Sequence, residues 1–142
     1  MHFSSIDLEK LTQILKTNKI KNIKLQVSAP FHCQLMKNAT EIMRKEIQKL
    51  NFQESKNVLI SNVTAKEISD KEELKKLLIE QIENRVRWRE SVINMINNGV
   101  NHFIEIGPGK VLSGLIKRID KNVKINTINN DSDIKDFKLW LF

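Results

Sequence analysis

The chain has 142 residues, 40% hydrophobic and 29% charged, enough for one domain with a real core, and no apolar run approaches the ~20 residues of a membrane span. Its 24 basic and 17 acidic residues leave a net charge of +7, which favours acidic partners. The lysines are spread, there is no tyrosine, and no Arg-rich tract is interleaved with aromatics, so nucleic-acid binding is not expected.

A single cysteine, Cys33, excludes an internal disulfide and suits a reducing compartment. The N-terminus, Met-His-Phe-Ser-Ser-Ile-Asp, has no basic region followed by an apolar one, so no signal peptide is read and the expected location is cytoplasmic. Three histidines, His2, His32 and His102, and one cysteine show no metal-ligand spacing, so no metal is expected.

In chain order, Ser4 or Ser5 can cap a short helix, with Asp7 completing a capping box after Ser4 and Leu8, Leu11 and Leu15 on one face. Ile23, Leu25 and Val27 alternate with Lys24 and Gln26, the period of a half-buried strand. Pro30 stops regular continuation. A helix then spans Leu35 to Leu50, with Leu35, Ala39, Ile42, Met43, Ile47 and Leu50 as a stripe expected in the core.

His32 therefore sits between a strand and a helix, where α/β proteins tend to build sites. Its imidazole can serve as acid or base, or it can be an ordinary loop histidine. Cys33 is its neighbour, and adjacent helical residues point about 100° apart, so the two make no natural catalytic pair. A small, partly buried thiol is the expected role of Cys33.

Val58 to Val63 reads as a short apolar strand. Asp70 and Glu73 form a second capping box, opening a helix with Leu74, Leu77, Leu78 and Ile82 inward. Arg85-Val-Arg-Trp-Arg89 places three arginines around Trp88. Guanidinium forks there suit a phosphate or carboxylate, or else mark a solvated helix start over a buried tryptophan. The helix continues through Val92 and Ile96 to Asn98-Gly99, where glycine supplies the left-handed stop.

Phe103 to Ile106 reads as a strand running into Gly107-Pro-Gly-Lys110, and Val111, Leu112, Leu115, Ile116 and Ile119 then share a helical face. The glycine turn resembles a phosphate cradle, but it lacks Walker spacing, and close backbone packing is the expected use of the glycines. Val123, Ile125 and Thr127 make a last strand, and the tail from Asn129 is left unplaced. Alternating strands and helices define an α/β class with a mostly parallel sheet.

Val-Ser-Ala-Pro-Phe-His-Cys-Gln-Leu-Met-Lys (Val27 to Lys37), Val-Arg-Trp (Val86 to Trp88) and Glu-Ile-Gly-Pro-Gly-Lys-Val-Leu (Glu105 to Leu112) resemble, in order and spacing, the C-terminal half of the malonyl-CoA:acyl-carrier-protein transacylase family. The likeness runs from about Ile20 to Thr127. It implies the C-terminal part of an α/β-hydrolase-like acyltransferase domain, preceded by the end of a small ferredoxin-like subdomain. Residues 1–27 would close the small subdomain and residues 28–142 would belong to the large one.

The resemblance implies malonyl transfer from coenzyme A to the phosphopantetheine thiol of acyl carrier protein, in fatty-acid synthesis, with no cofactor. His32 matches the family's catalytic histidine, which takes the proton of a serine nucleophile. Family members orient this imidazole with main-chain carbonyls, and the resemblance assigns one of them to Arg87. Ser28, Asn62 and Gly107 lie in matching segments without assigned chemistry.

The family's Gly-x-Ser-x-Gly elbow occurs nowhere in this chain. Its oxyanion donors and malonyl-binding arginine fall before the matching part, and Met1 falls where the small subdomain is nearly finished. The chain is therefore expected to be a split or truncated product. Three readings remain: half of an acyltransferase partnered by an N-terminal fragment with the serine, an inactive remnant, or a basic module that binds acidic carrier protein.

Overall fold

A computed structural model describes residues 5–23 and 29–138. The chain divides into two compact units, Met1–Pro30 and Phe31–Phe142. In the first, α1 spans Ser5–Thr17. Leu8 and Leu11 of its expected apolar face are exposed and Leu15 is half-buried. Ser4 and most of the expected Ile23–Val27 strand lie outside the described residues.

In the second unit a 3-10 turn, Gln34–Met36, leads into α2, Lys37–Lys49. Then come β1 (Leu59–Ile60), β2 (Glu67–Ile68), α3 (Lys71–Glu80), α4 (Trp88–Asn97), β3 (His102–Ile106), α5 (Val111–Ile119), β4 (Lys124–Ile128) and α6 (Asp131–Lys138). The unplaced tail thus contributes a helix, α6, and Phe137 on it meets the His102 ring at 6.3 Å between centroids.

The helix boundaries follow local chemistry. Asp70 caps α3, its carboxylate accepting the Glu73 N–H at 2.7 Å. Gly99, at φ +91°, ends α4: its N–H donates to the Ile96 carbonyl at 2.9 Å and the Val100 N–H to the Met95 carbonyl at 3.0 Å. The α5 N-terminus is capped at a distance, because Glu105 on β3 accepts from the Leu112 N–H at 3.0 Å and the Ser113 N–H at 2.7 Å.

Among the described residues the sheet is smaller than expected. β3 and β4 form a parallel pair from His102 against Lys124 to Ile106 against Ile128, while β1 and β2 form an antiparallel ladder of two residue pairs. The expected Val58–Val63 strand shrinks to Leu59–Ile60. The chain turns after Ser61, whose buried hydroxyl accepts the N–H groups of Val63 and Thr64 at 3.1 and 3.3 Å.

The core gathers on one face of the parallel pair. Val92, Ile116 and Val123 are buried together, with Trp88, Met95, Ile96, Phe103, Ile119 and Ile125 packed around them. Strand alternation puts Ile104 and Ile106 on the opposite face from Phe103, and there they are 42% and 78% exposed. α3 buries Leu77 and also Ile79.

Only part of the α2 stripe is core: Ile47 is buried and Ala39 half-buried. Leu35, Ile42, Met43 and Leu50 are exposed, and the buried residues of this helix are Thr40 and Ile47. At 100° per residue the buried line runs roughly a quarter-turn from the middle of the apolar stripe. α2 packs on α3 and leaves Leu35, Ile42, Met43 and Leu50 of the stripe to solvent.

These open apolar faces predict association. In sedimentation the isolated chain should self-associate, or else melt with low cooperativity. A monodisperse monomer with a sharp melt above the mesophile range would contradict this. A second expectation concerns Glu105. Its carboxyl sits below the ordinary 4.5, held there by Ser113, whose hydroxyl faces it without a bond of good geometry and whose N–H bonds it, and by the Leu112 N–H. A depressed carboxyl stabilises the fold above the unfolded-state value and stops doing so as pH falls through the folded-state one. Glu105→Gln should lower the melting temperature at neutral pH, and its deficit against wild type should shrink below about pH 4 in calorimetry.

Candidate active site

His32 lies just before the 3-10 turn with φ +61°, in the left-handed region. Histidine enters that region more readily than most residues, but the conformation still costs on the order of 1 kcal/mol and needs support. The support comes from the C-cap of α3, Gln81, and from the residue after it, Ile82. The last carbonyls of a helix have no partner within it. The His32 N–H donates to the Ile82 carbonyl at 3.1 Å, and Nδ1 lies 2.8 Å from the Gln81 carbonyl oxygen.

A carbonyl oxygen only accepts, so Nδ1 carries the hydrogen of that bond. In the neutral ring Nε2 then holds the lone pair. His32 is exposed, so the lone pair is presented at the surface of the unit. This is the tautomer and orientation a general base needs.

The Arg87 carbonyl does something else. It accepts from the Ser91 N–H at 2.9 Å and from the Ser91 hydroxyl at 3.0 Å. Arg87 immediately precedes α4, so its carbonyl starts the helical ladder and points along the axis. The orienting carbonyl assigned to Arg87 is Gln81's instead. A contact made by main chain leaves no side-chain signature, and the one sequence signal was that Gln81 falls in the last turn of an amphipathic run.

Arg87 serves as an anchor. Its N–H donates to the Asn62 carbonyl at 2.8 Å, and its guanidinium reaches the Thr64 carbonyl and Glu90 Oε1, both at 3.3 Å. Arg85 also reaches Glu90, at 3.4 Å. Glu90's own backbone N–H, then Arg87, lower its carboxyl below the ordinary range. Two of the three arginines around Trp88 thus share an internal carboxylate, and Trp88 packs against the core.

The glycine turn is not a phosphate cradle. The amides that a phosphate would use at the α5 N-terminus, those of Leu112 and Ser113, are bonded to Glu105. Close packing does not explain the glycines either, since a Cβ at Gly107 or Gly109 would meet nothing within 4 Å. Their φ values of +132° and +98° do. The Gly107 N–H donates to the Ile128 carbonyl at 2.9 Å, and the Gly109 N–H to Asn129 Oδ1 at 2.7 Å.

Cys33 is half-buried. Ser28 lies outside the described residues. A polar cleft of about 330 Å3, walled in part by Gln34, Arg44, Glu80 and Glu83, does not include His32. The described residues contain no cluster of three or more His, Cys, Asp or Glu able to hold a metal.

An imidazole oriented by main-chain carbonyls within an α/β unit is a group suited to acid–base chemistry. The relatives narrow the class. Malonyl CoA-acyl carrier protein transacylase of Bacillus subtilis (strain 168) is 39% identical over 129 residues, 90% of this chain and 41% of that protein. The acyl-carrier-protein-S-malonyltransferase of Bartonella henselae superposes with a TM-score of 0.84 at 36% identity, over 96% of this chain and 44% of that one. A malonyl-transacylase solved in complex with its type II PKS acyl-carrier protein superposes at 0.82 with 31% identity, over 92% and 43%. No family model matches.

Over most of its length, then, this chain is homologous to malonyl CoA-acyl carrier protein transacylase and shares its α/β fold. It spans about two fifths of the length of these relatives.

The anchor role of Arg87 can be measured. Arg87→Ala strips the Thr64 carbonyl of its partner and should cost about 1 kcal/mol or more in denaturant melts. Arg85→Ala, at an exposed ion pair, should cost well under that.

Proposed function

We propose that this chain supplies the catalytic histidine of a malonyl-CoA:acyl-carrier-protein transacylase, and that His32 is that residue. The observation that carries the reading is the clamp on His32: a left-handed histidine with Nδ1 bonded to the Gln81 carbonyl and Nε2 left as the base. Homology over most of the chain supplies the reaction class.

The serine nucleophile belongs to a Gly-x-Ser-x-Gly elbow that this sequence does not contain. A polypeptide segment carrying that elbow, the oxyanion donors and a carboxylate-binding arginine completes the site. In the first half-reaction His32 Nε2 takes the serine proton as the serine oxygen bonds the malonyl carbonyl carbon. The C–S bond of the thioester breaks, and the coenzyme A sulfur receives the proton from Nε2. The second half-reaction runs the same steps in reverse with the phosphopantetheine thiol of the carrier protein. The Gln81 carbonyl accepts from Nδ1 throughout, so the ring need not turn between proton uptake and release.

No cofactor enters this chemistry. In this reading residues 1–27 close a small ferredoxin-like subdomain and residues 28–142 belong to the large one. The net charge of +7 suits an acidic carrier protein as partner. The reading places the chain in the cytoplasm, and among the described residues no helix is long and apolar enough to cross a membrane.

The chain alone should form no acyl adduct with malonyl-CoA, on any serine or on Cys33, by mass spectrometry. Mixed with the N-terminal part of a homologous transacylase that carries the elbow, it should transfer malonyl to carrier protein. His32→Ala should then lower the rate by about 10^3-fold or more, because base and nucleophile act as a unit. His2→Ala and His102→Ala should change it little. Equal losses at all three histidines would mean that the site is elsewhere.

A further inference from the structure

We propose that Asn62 is a positioning residue for His32, acting through the side chain of Gln81; the proposal rests on His32 being the base. Gln81 touches the site twice. Its main-chain oxygen accepts from His32 Nδ1 at 2.8 Å, and its side-chain Oε1 accepts from Asn62 Nδ2 at 3.2 Å. A residue just past a helix end has backbone freedom, and a glutamine has three side-chain torsions to lose. A tether on its side chain restrains both.

The tether matters only if Asn62 is itself held. The turn that carries it is closed by the Ser61 N–H donating to the Lys66 carbonyl at 2.9 Å and by the Ala65 N–H donating to the Ser61 carbonyl at 2.8 Å. Ala65 takes φ +58° to close it. The turn is then fastened to α4 at three carbonyls. Arg87 N–H holds Asn62, the Arg87 guanidinium holds Thr64, and Asn94 Nδ2 holds the Ala65 oxygen at 3.0 Å. Asn62 is thus fixed at its backbone and aims its amide at Gln81. The strained Ala65 is explained by the three carbonyls this conformation presents to α4.

The positioning is read at the imidazole itself. In the 142-residue chain labelled with 15N, ring nitrogen shifts at about pH 8.5, where an ordinary imidazole is neutral, report the Nδ1–H to Nε2–H ratio of each histidine. Wild-type His32, assigned by its loss in His32→Gln, should favour Nδ1–H. Asn62→Ala should lower that ratio roughly threefold to fivefold, the effect of about one neutral hydrogen bond. Gln81→Met keeps the main-chain carbonyl, removes Oε1 and should lower the ratio as much. The double variant should add nothing further. His102, bonded to Asn126 Oδ1 at 2.7 Å, is the internal reference and should not move.

An unchanged ratio in both single variants, with the melt intact, overturns the proposal, as does a double variant whose effects add. If Asn62→Ala fails to fold, Gln81→Met decides alone. A wild-type His32 with no Nδ1–H excess overturns the reading of the site itself, which separates that failure from this one.

Discussion

A helix that ends must hand its last carbonyls to something, and at the end of α3 that something is His32. Gln81 and Ile82 are met by the two N–H groups of one residue, the backbone amide and Nδ1. His32 makes both bonds with φ at +61°. The tautomer, the ring orientation and the presentation of Nε2 all follow from satisfying a helix terminus. A loop histidine without this constraint would sample both tautomers and several rotamers.

The same rule shapes the other end of the unit. The α5 amides are met by Glu105 from β3, which joins strand to helix electrostatically and fills what would otherwise attract an anion. The C-terminus of α3 and the N-terminus of α5 therefore differ in what meets them. The α5 terminus is closed by an internal carboxylate, and the α3 terminus holds an imidazole.

The unit buries its core between α4, α5 and one face of the parallel pair, and it leaves apolar residues open on β3 and along α2. Parallel strands are ordinarily covered on both faces. The exposed Ile104, Ile106, Ile42 and Met43 are where further packing would repay most. The solved relatives, more than twice this length, share the fold over this part.

The sequence by itself determined helices α1 to α5 and the caps that end α4 and begin α3. Asp70 and Gly99 act through bonds to neighbours three or four residues away, so local order sufficed to read them. The motifs around His32, Trp88 and Gly107 were likewise enough to name the family. Only the tertiary structure decided that Gln81, 49 residues from His32, supplies the orienting carbonyl, while Arg87 anchors a turn. It also decided that most of the apolar stripe of α2 lies open, Ile47 apart, because a stripe records what a helix could bury and not which neighbour is present to bury it. Main-chain acceptors are common to every residue type, so which of them meets a side chain is settled by where the elements pack and not by which residues they carry.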